Sequence, residues 1–362
     1  MAGLHRVMDA NGLKAMLVYG DAAEHSALAW FSNFVPRLRW GMALLPRAGE
    51  PRLLISMSSR DVPAMKLMTW IPDVLSGWTW ESAFDPWLAR LQADHPADLG
   101  TVGFDLMRPP LLRSLEKSLG NRFRLQQADD DVAALRALRP RERSLVRGAA
   151  DVTQAAAEAS MQAARKGLGA EAAALEAERT ARLLAAQDVR TLVSFDNGRT
   201  LAPFRGAFAP ASETLAGYIA VKDGGYWADC FVTAAAAPVD LHRRARAGLD
   251  ALLAAARPEA EGAKLHALAL AQLHPLSLHP VLSNSVGRRI GLSLNEGGEL
   301  TPESRHALKP GEIYSFHVGT RDAAGGALAS AMVAITERGT EILHRSPDAS
   351  FAATPPANPP VP

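Results

Sequence analysis

Near the N-terminus Leu4, Val7, Met8 and Leu13 recur at helical spacing, and the apolar run LKAMLVYG that starts at Leu13 predicts a buried strand. A second helix is expected over Ala22 to Phe31. WGMALLP and PRLLISM read as strands paired around the turn RAGEP, and a short helix follows from Pro63 to Thr69, since proline fits a first helical turn. Helical spacing returns over Phe84 to Asp94, ahead of the strand TVGFD. Pro109 and Pro110 open the helix LLRSLEKSL, and Gly120 closes it. This alternation predicts a parallel or mixed sheet carrying helices, an α/β domain over residues 1–135 whose end is a short helix with an acidic start, ADDDVAAL.

After Arg139 the pattern lengthens. Alanine-rich amphipathic helices are expected over Glu142 to Lys166, stopped by Gly167 and Gly169, and over Ala170 to Gln187. A strand VRTLVSF and a loop DNGRTLAPFRG lead into a hairpin, followed by helices over Leu241 to Ala256 and Ala263 to His274. SNSVGRRIGLSLNE and GEIYSFHVGT read as a strand pair, as do ALASAMVAITE and TEILH, joined at Arg338-Gly339. Together these predict a second domain over residues 136–346, an antiparallel sheet backed by the long helices. The Pro-rich tail, residues 347–362, is expected to be disordered and outside the fold.

The hairpin, SETLAGYIAVKDGGYWADCFVT from Ser212 to Thr233, carries the first chemical signal. Asp223-Gly224 supplies the positive backbone angles of a two-residue turn, and a turn centred there sets Lys222 against Gly225 and Tyr218 against Asp229. Asp229 stands among sheet-forming residues, where a carboxylate needs a partner, a metal or water to offset its desolvation. Its neighbour Cys230 points to the other face and reads as a buried structural thiol.

Composition narrows the partners. The chain has 362 residues, 48% hydrophobic and 21% charged, enough for a sizeable core. A formal net charge of +1, with no Lys/Arg run, argues against nucleic acid and against an anionic membrane surface. No apolar run reaches bilayer length and MAGLHRVMDANG lacks a signal-peptide core, so a cytoplasmic location is expected. A single cysteine leaves no intramolecular disulfide and no multi-cysteine zinc site.

Four segments in order resemble the creatinase, prolidase and aminopeptidase P family: ALRALRPRERSLVRGAADV, GGYWADCFVT, VGRRIGLSLNE, and LKPGEIYSFHVGT followed by MVAITERGTEIL. The first 130 residues also resemble that family's N-terminal domain. The resemblance implies an α/β (α+β) chain, with a creatinase/prolidase-like N-terminal domain before a pita-bread domain with a curved antiparallel sheet. Family metallopeptidases hold two divalent metals with two Asp, one His and two Glu, which polarise a carbonyl and generate hydroxide. Carried across position by position, the first Asp falls at Tyr218 and the second at Asp229. The ligand His of Gly-His-Gly-Ile-Gly falls at Arg288, the Glu of Ile-Glu-Pro at His317, and the last Glu at Ser330. The substrate-handling His of the His-Glu pair falls at Asn295, before Glu296, and Phe204 and Arg205 stand near the place of the loop His. Of the ligands only Asp229 survives. An arginine cannot ligate a metal and its fixed charge repels one, so no metal and no cofactor are expected.

Two functions follow from this pattern. One is a metal-independent hydrolase or lyase acting on a small amino-acid-like or amidino substrate in the former metal cleft. There His317 would be the general acid or base, Asp229 would orient it, Tyr218 would donate to developing negative charge and Arg288 would grip an anionic group. Asn295, Glu296 and Ser330 would complete the cleft by analogy. The other is a non-catalytic peptide- or ligand-binding pseudo-peptidase, in which Asp229 is the salt-bridge partner of Arg288 and His317 an ordinary core histidine bonded to Asp229. A mononuclear metalloenzyme, held in reserve, would rest on Asp229 and His317 alone. The resemblance further implies a homodimer in which FSNFVPRLRWGMALL, with Arg37 and Arg39, closes the partner's cleft and meets a substrate carboxylate.

Overall fold

The computed structural model describes residues 1–77, 80–91, 96–135, 140–203, 214–235 and 240–347. Two compact units divide the chain, Met1–Ala137 and Leu138–Pro362.

In the first unit the order is α1 (Ala2–Asn11), β1 (Leu13–Asp21), α2 (Ser26–Ser32), β2 (Trp40–Pro46), β3 (Arg52–Ile55), α3 (Val62–Met65), β4 (Asp73–Ser76), α4 (Trp80–Arg90), β5 (Ala97–Val102), α5 (Pro109–Leu119), β6 (Phe123–Gln127) and α6 (Asp129–Leu135). The sheet runs β4-β3-β2-β1-β5-β6. It is mixed, with β1 antiparallel to β2 and parallel to β5. Met16 and Val18 pack with Leu4, Met8 and Leu28 on one face, while Leu17 and Tyr19 pack with Phe84, Trp87 and Leu115 on the other. Burial on both faces is why this strand reads as one unbroken apolar run.

Four elements differ from expectation for local reasons. Helix α2 starts at Ser26, because the Asp21 carboxylate accepts the N–H groups of Ala23 and Glu24 and holds the chain in a turn. The strand expected at TVGFD ends at Val102, where Gly103 takes a φ of 72°. Strands β4 and β6 are short pieces at the two sheet edges that no hydrophobic alternation announced.

The second unit holds α7 (Pro140–Arg165), α8 (Ala170–Leu183), β7 (Asp188–Val193), β8 (Ala202–Pro203), β9 (Thr214–Asp223), β10 (Tyr226–Ala235), α9 (Asp240–Ala255), α10 (Gly262–Leu273), β11 (Gly287–Arg289), β12 (Ile313–Arg321), β13 (Gly326–Thr336) and β14 (Gly339–Arg345). The strands form two antiparallel sheets, β10-β9-β7-β8 and β11-β12-β13-β14, the antiparallel pairing expected of this domain. Side chains join them where ladder bonds do not. Thr233 Oγ1 donates to the Leu328 carbonyl and accepts its N–H, both at 2.9 Å, and Ser330 Oγ accepts the Phe231 N–H at 2.7 Å. Each sheet has its own helices. Leu215, Ile219, Val221, Cys230 and Val232 pack under α7 and α8, and Tyr314, Phe316, Val318 and Ala329 under α9 and α10. Among the described residues no helix is long and apolar enough to cross a membrane. The tail beyond Pro347, and Phe204 and Arg205, lie outside the described residues.

Candidate functional site

The hairpin that carries Asp229 closes on Gly224 and Gly225 rather than on Asp223-Gly224. Asp223 pairs with Tyr226, and the two glycines hold φ angles of 55° and 88°. Two successive positive φ angles suit glycine better than aspartate, which decides the turn. Tyr218 therefore faces Phe231, and Asp229 faces Ala220. A slip of two keeps every side chain on its face, so Tyr218 and Asp229 remain diagonal neighbours. Tyr218 Oη donates to Asp229 Oδ2 at 3.0 Å.

Alternation assembles the rest. With the odd residues of β9 and the even residues of β10 under α7 and α8, Tyr218, Asp229 and Phe231 share the other face. In the second sheet Tyr314, Phe316 and Val318 take the helix side, which leaves Ser315 and His317 on the opposite one, with Arg288 paired to Ser315 and Ser330 to His317. Trp227 N–H donates to the Gly291 carbonyl at 2.7 Å and ties the loop after β11 to β10.

Arg288 is the centre of the group. Its Nη2 lies 2.5 Å from Asp229 Oδ2 and 3.4 Å from Tyr218 Oη, its Nε donates to the Leu294 carbonyl at 2.9 Å, and its Nη1 lies 3.5 Å from His317 Nδ1. The Asp229 side chain is wholly enclosed, and that of Arg288 is 17% exposed. A guanidinium only donates, so the Nδ1 facing it presents a lone pair and the His317 ring is neutral. Burial, followed by the charge of Arg288, pushes the His317 pKa down to about 3. Burial and then the Asp229 charge push the Tyr218 phenol well above its ordinary value, so it keeps its proton. Asp229 Oδ1 and Ser315 Oγ are buried without a hydrogen-bond partner in the described structure.

The remaining candidates divide. His317 meets Arg288 and the Ser285 backbone, where a bond to Asp229 had been one expectation. Ser330 lies cross-strand from His317, but its hydroxyl stitches the two sheets. Asn295 is exposed and closes its own loop, its Oδ1 accepting Gly297 N–H and its Nδ2 donating to Glu299. Glu296 folds back on that loop, its Oε1 3.3 Å from Ser293 N. The structure thus brings Tyr218, Asp229, Arg288 and His317 together and leaves Asn295 and Glu296 aside. Arg289, on the opposite face, packs against Glu312 and the Glu296 carbonyl. Arg37 and Arg39 are exposed in the first unit. Sequence reasoning missed Phe231, whose ring centroid lies 4.8 Å from that of Tyr218 and 5.8 Å from that of His317. Its place two residues after Asp229, on the same face, was the available signal.

The sequence pattern of metallopeptidase family M24 matches residues 144–337, and that of the creatinase/prolidase N-terminal domain matches residues 1–138. The chain belongs to family M24. Its second unit has the pita-bread fold of that family. The prolidase from Pyrococcus furiosus is similar over 94% of this chain and 98% of its own, with a TM-score of 0.76 and 16% identity. The X-Pro aminopeptidase from Thermotoga maritima MSB8 is similar over 96% of this chain and 98% of its own, with a TM-score of 0.80 and 19% identity. No curated protein matches the chain significantly. M24 is a peptidase family, which makes hydrolysis its general chemistry.

The name of the family implies a bound metal, and the donor set here does not fit a pair of them. Among the described residues no group of three or more His, Cys, Asp or Glu is placed to hold an ion. The position between Asp229 and His317 is filled by a guanidinium, which has no lone pair to offer and carries a fixed positive charge.

Proposed function

We propose that this chain is a metal-free, non-catalytic member of family M24 that binds a peptide or small amino-acid-like ligand over the face carrying Tyr218, Asp229, Arg288 and His317. The 2.5 Å contact between Arg288 and Asp229 carries this reading. Hydrolysis near neutral pH needs a metal-bound hydroxide, or a base with a free lone pair and a pKa near the working pH. The histidine, tyrosine and cysteine candidates are each committed elsewhere. His317 turns its lone pair to Arg288 and holds a pKa of about 3, and Tyr218 keeps its proton and donates a hydrogen bond to Asp229. Cys230, on the helix side, is pushed up to about 12 by burial. A ligand reaching the cluster meets Arg288 and Tyr218 before the enclosed Asp229, a donor surface suited to a carboxylate or a peptide carbonyl.

Calorimetric titration with dipeptides and free amino acids, with mass spectrometry of the recovered ligand, tests the proposal. The expected result is saturable binding of an unaltered ligand, equal with and without chelator and weaker in Arg288→Met. Cleaved ligand would contradict it.

One observation favours a metal-independent hydrolase or lyase instead: Asp229 Oδ1 is a spare buried acceptor. In that reading His317 leaves Arg288 to act as acid or base, with Asp229 and Tyr218 assisting. Chelator-resistant turnover that falls by about 10² or more in His317→Ala would establish it.

A homodimer belongs to the same proposal. Leu38, Leu67 and Trp70 are exposed apolar side chains in the unit that carries Arg37 and Arg39. A stable monomer in sedimentation would contradict it.

A further inference from the structure

We propose that Arg288 is the cation-excluding residue of this site, its guanidinium filling a position where Asp229, Tyr218 and His317 would otherwise hold one divalent ion. The inference rests on the metal-free reading above and names the residue responsible for it.

Three acceptor atoms from three strands converge on the Nη atoms of one planar group. Asp229 Oδ2 lies at 2.5 Å, Tyr218 Oη at 3.4 Å and His317 Nδ1 at 3.5 Å. Both Nη atoms belong to the same guanidinium, so the three acceptors border the volume that this one side chain fills. A carboxylate oxygen and a neutral imidazole nitrogen are donor types that zinc and cobalt take. Asp229 offers a second, partnerless oxygen, Oδ1, inside the same enclosure. That enclosure favours a cation, since a carboxylate with no exposed surface is costly to leave unpaired. The guanidinium meets the demand at every working pH, because it does not deprotonate in proteins. It also satisfies its own Nε on the Leu294 carbonyl, which fixes the head group in place. An incoming ion therefore faces both an occupied volume and a like charge. Two strong ligands remain once the guanidinium is gone, few enough that water must complete the shell, and a histidine at 288 would supply a third.

The test titrates the full chain with Co²⁺, read by visible absorption and by the shift in unfolding temperature, in the wild type and in Arg288→Lys, Arg288→Met and Arg288→His. Wild type and Arg288→Lys are expected to take no ion, and Arg288→Met to take one per chain. Arg288→His should bind more tightly still. Adding His317→Ala to Arg288→His should weaken binding at least as much as losing an outer-shell partner does, about 10- to 100-fold. A Met variant too unstable to fold alone is decided by its response to metal: folding restored by Co²⁺ supports the proposal, and no response opposes it. If folded Met and His variants ignore Co²⁺ as the wild type does, the inference fails while the metal-free reading stands. Stoichiometric Co²⁺ on the wild type would overturn both.

Discussion

Arg288 and Asp229 form an enclosed ion pair, Nη2 to Oδ2 at 2.5 Å, at the two positions where the family resemblance sets a ligand histidine and a ligand aspartate. One built-in cation thus stands beside the surviving carboxylate, and the charge of the site balances within the chain.

Breaking that pair from one side should be expensive. Arg288→Ala and Asp229→Ala are each expected to cost about 3–5 kcal/mol, because either leaves a buried charge uncompensated. The double variant Arg288→Ala/Asp229→Ala should cost much less than the sum. Urea unfolding of the four proteins measures this coupling, and additive losses would show that the two charges do not depend on each other.

Stability should fall on mild acidification. Burial holds the His317 and His344 pKa values down, at about 3 and about 4, against 6.5 for an ordinary histidine. Between those values and 6.5 the unfolded chain binds more protons than the folded one, so stability rises with pH across that window. The contribution is complete above about 6.5 and is lost as pH drops towards 4 and then 3. Urea midpoints compared at pH 7 and at about pH 4.5 should differ, and His344→Leu should shrink the difference. An unchanged difference would mean that His344 takes up no proton on unfolding in this range.

The family resemblance sets Ser330 at a ligand position, yet its hydroxyl accepts the Phe231 N–H at 2.7 Å and joins β10 to β13. Ser330→Ala should therefore cost about 1–3 kcal/mol, the price of a buried N–H without an acceptor, and leave ligand affinity unchanged. Unfolding and binding measured on the same variant separate the two roles.

The elements of the fold were legible where spacing was long or composition strong. Helices α7, α9 and α10 and strands β1, β12 and β13 follow from periodicity alone. Edge strands β4 and β6 were not legible, being four and five residues with no clean alternation. The hairpin register was read two residues away, because Asp-Gly and Gly-Gly overlap in the same turn and only the backbone angles choose between them. The slip left the site intact, since faces repeat every two residues. Tyr218, Asp229, Arg288 and His317 were found by position in the chain. Their mutual distances were not, because they depend on how two separate sheets are stitched by Thr233 and Ser330. Asn295 was placed in the cleft by analogy, whereas the loop bonds it makes with Gly297 and Glu299 turn it outward.

The central claim, that a guanidinium stands where the family's metals would, is tested most directly by equilibrium dialysis of the wild-type chain against Mn²⁺ or Co²⁺. Elemental analysis and a dipeptide cleavage assay on the same sample complete the measurement. The account predicts far less than one ion per chain and intact dipeptide at every metal concentration. One or two ions per chain, with cleavage that disappears on chelation, would contradict it.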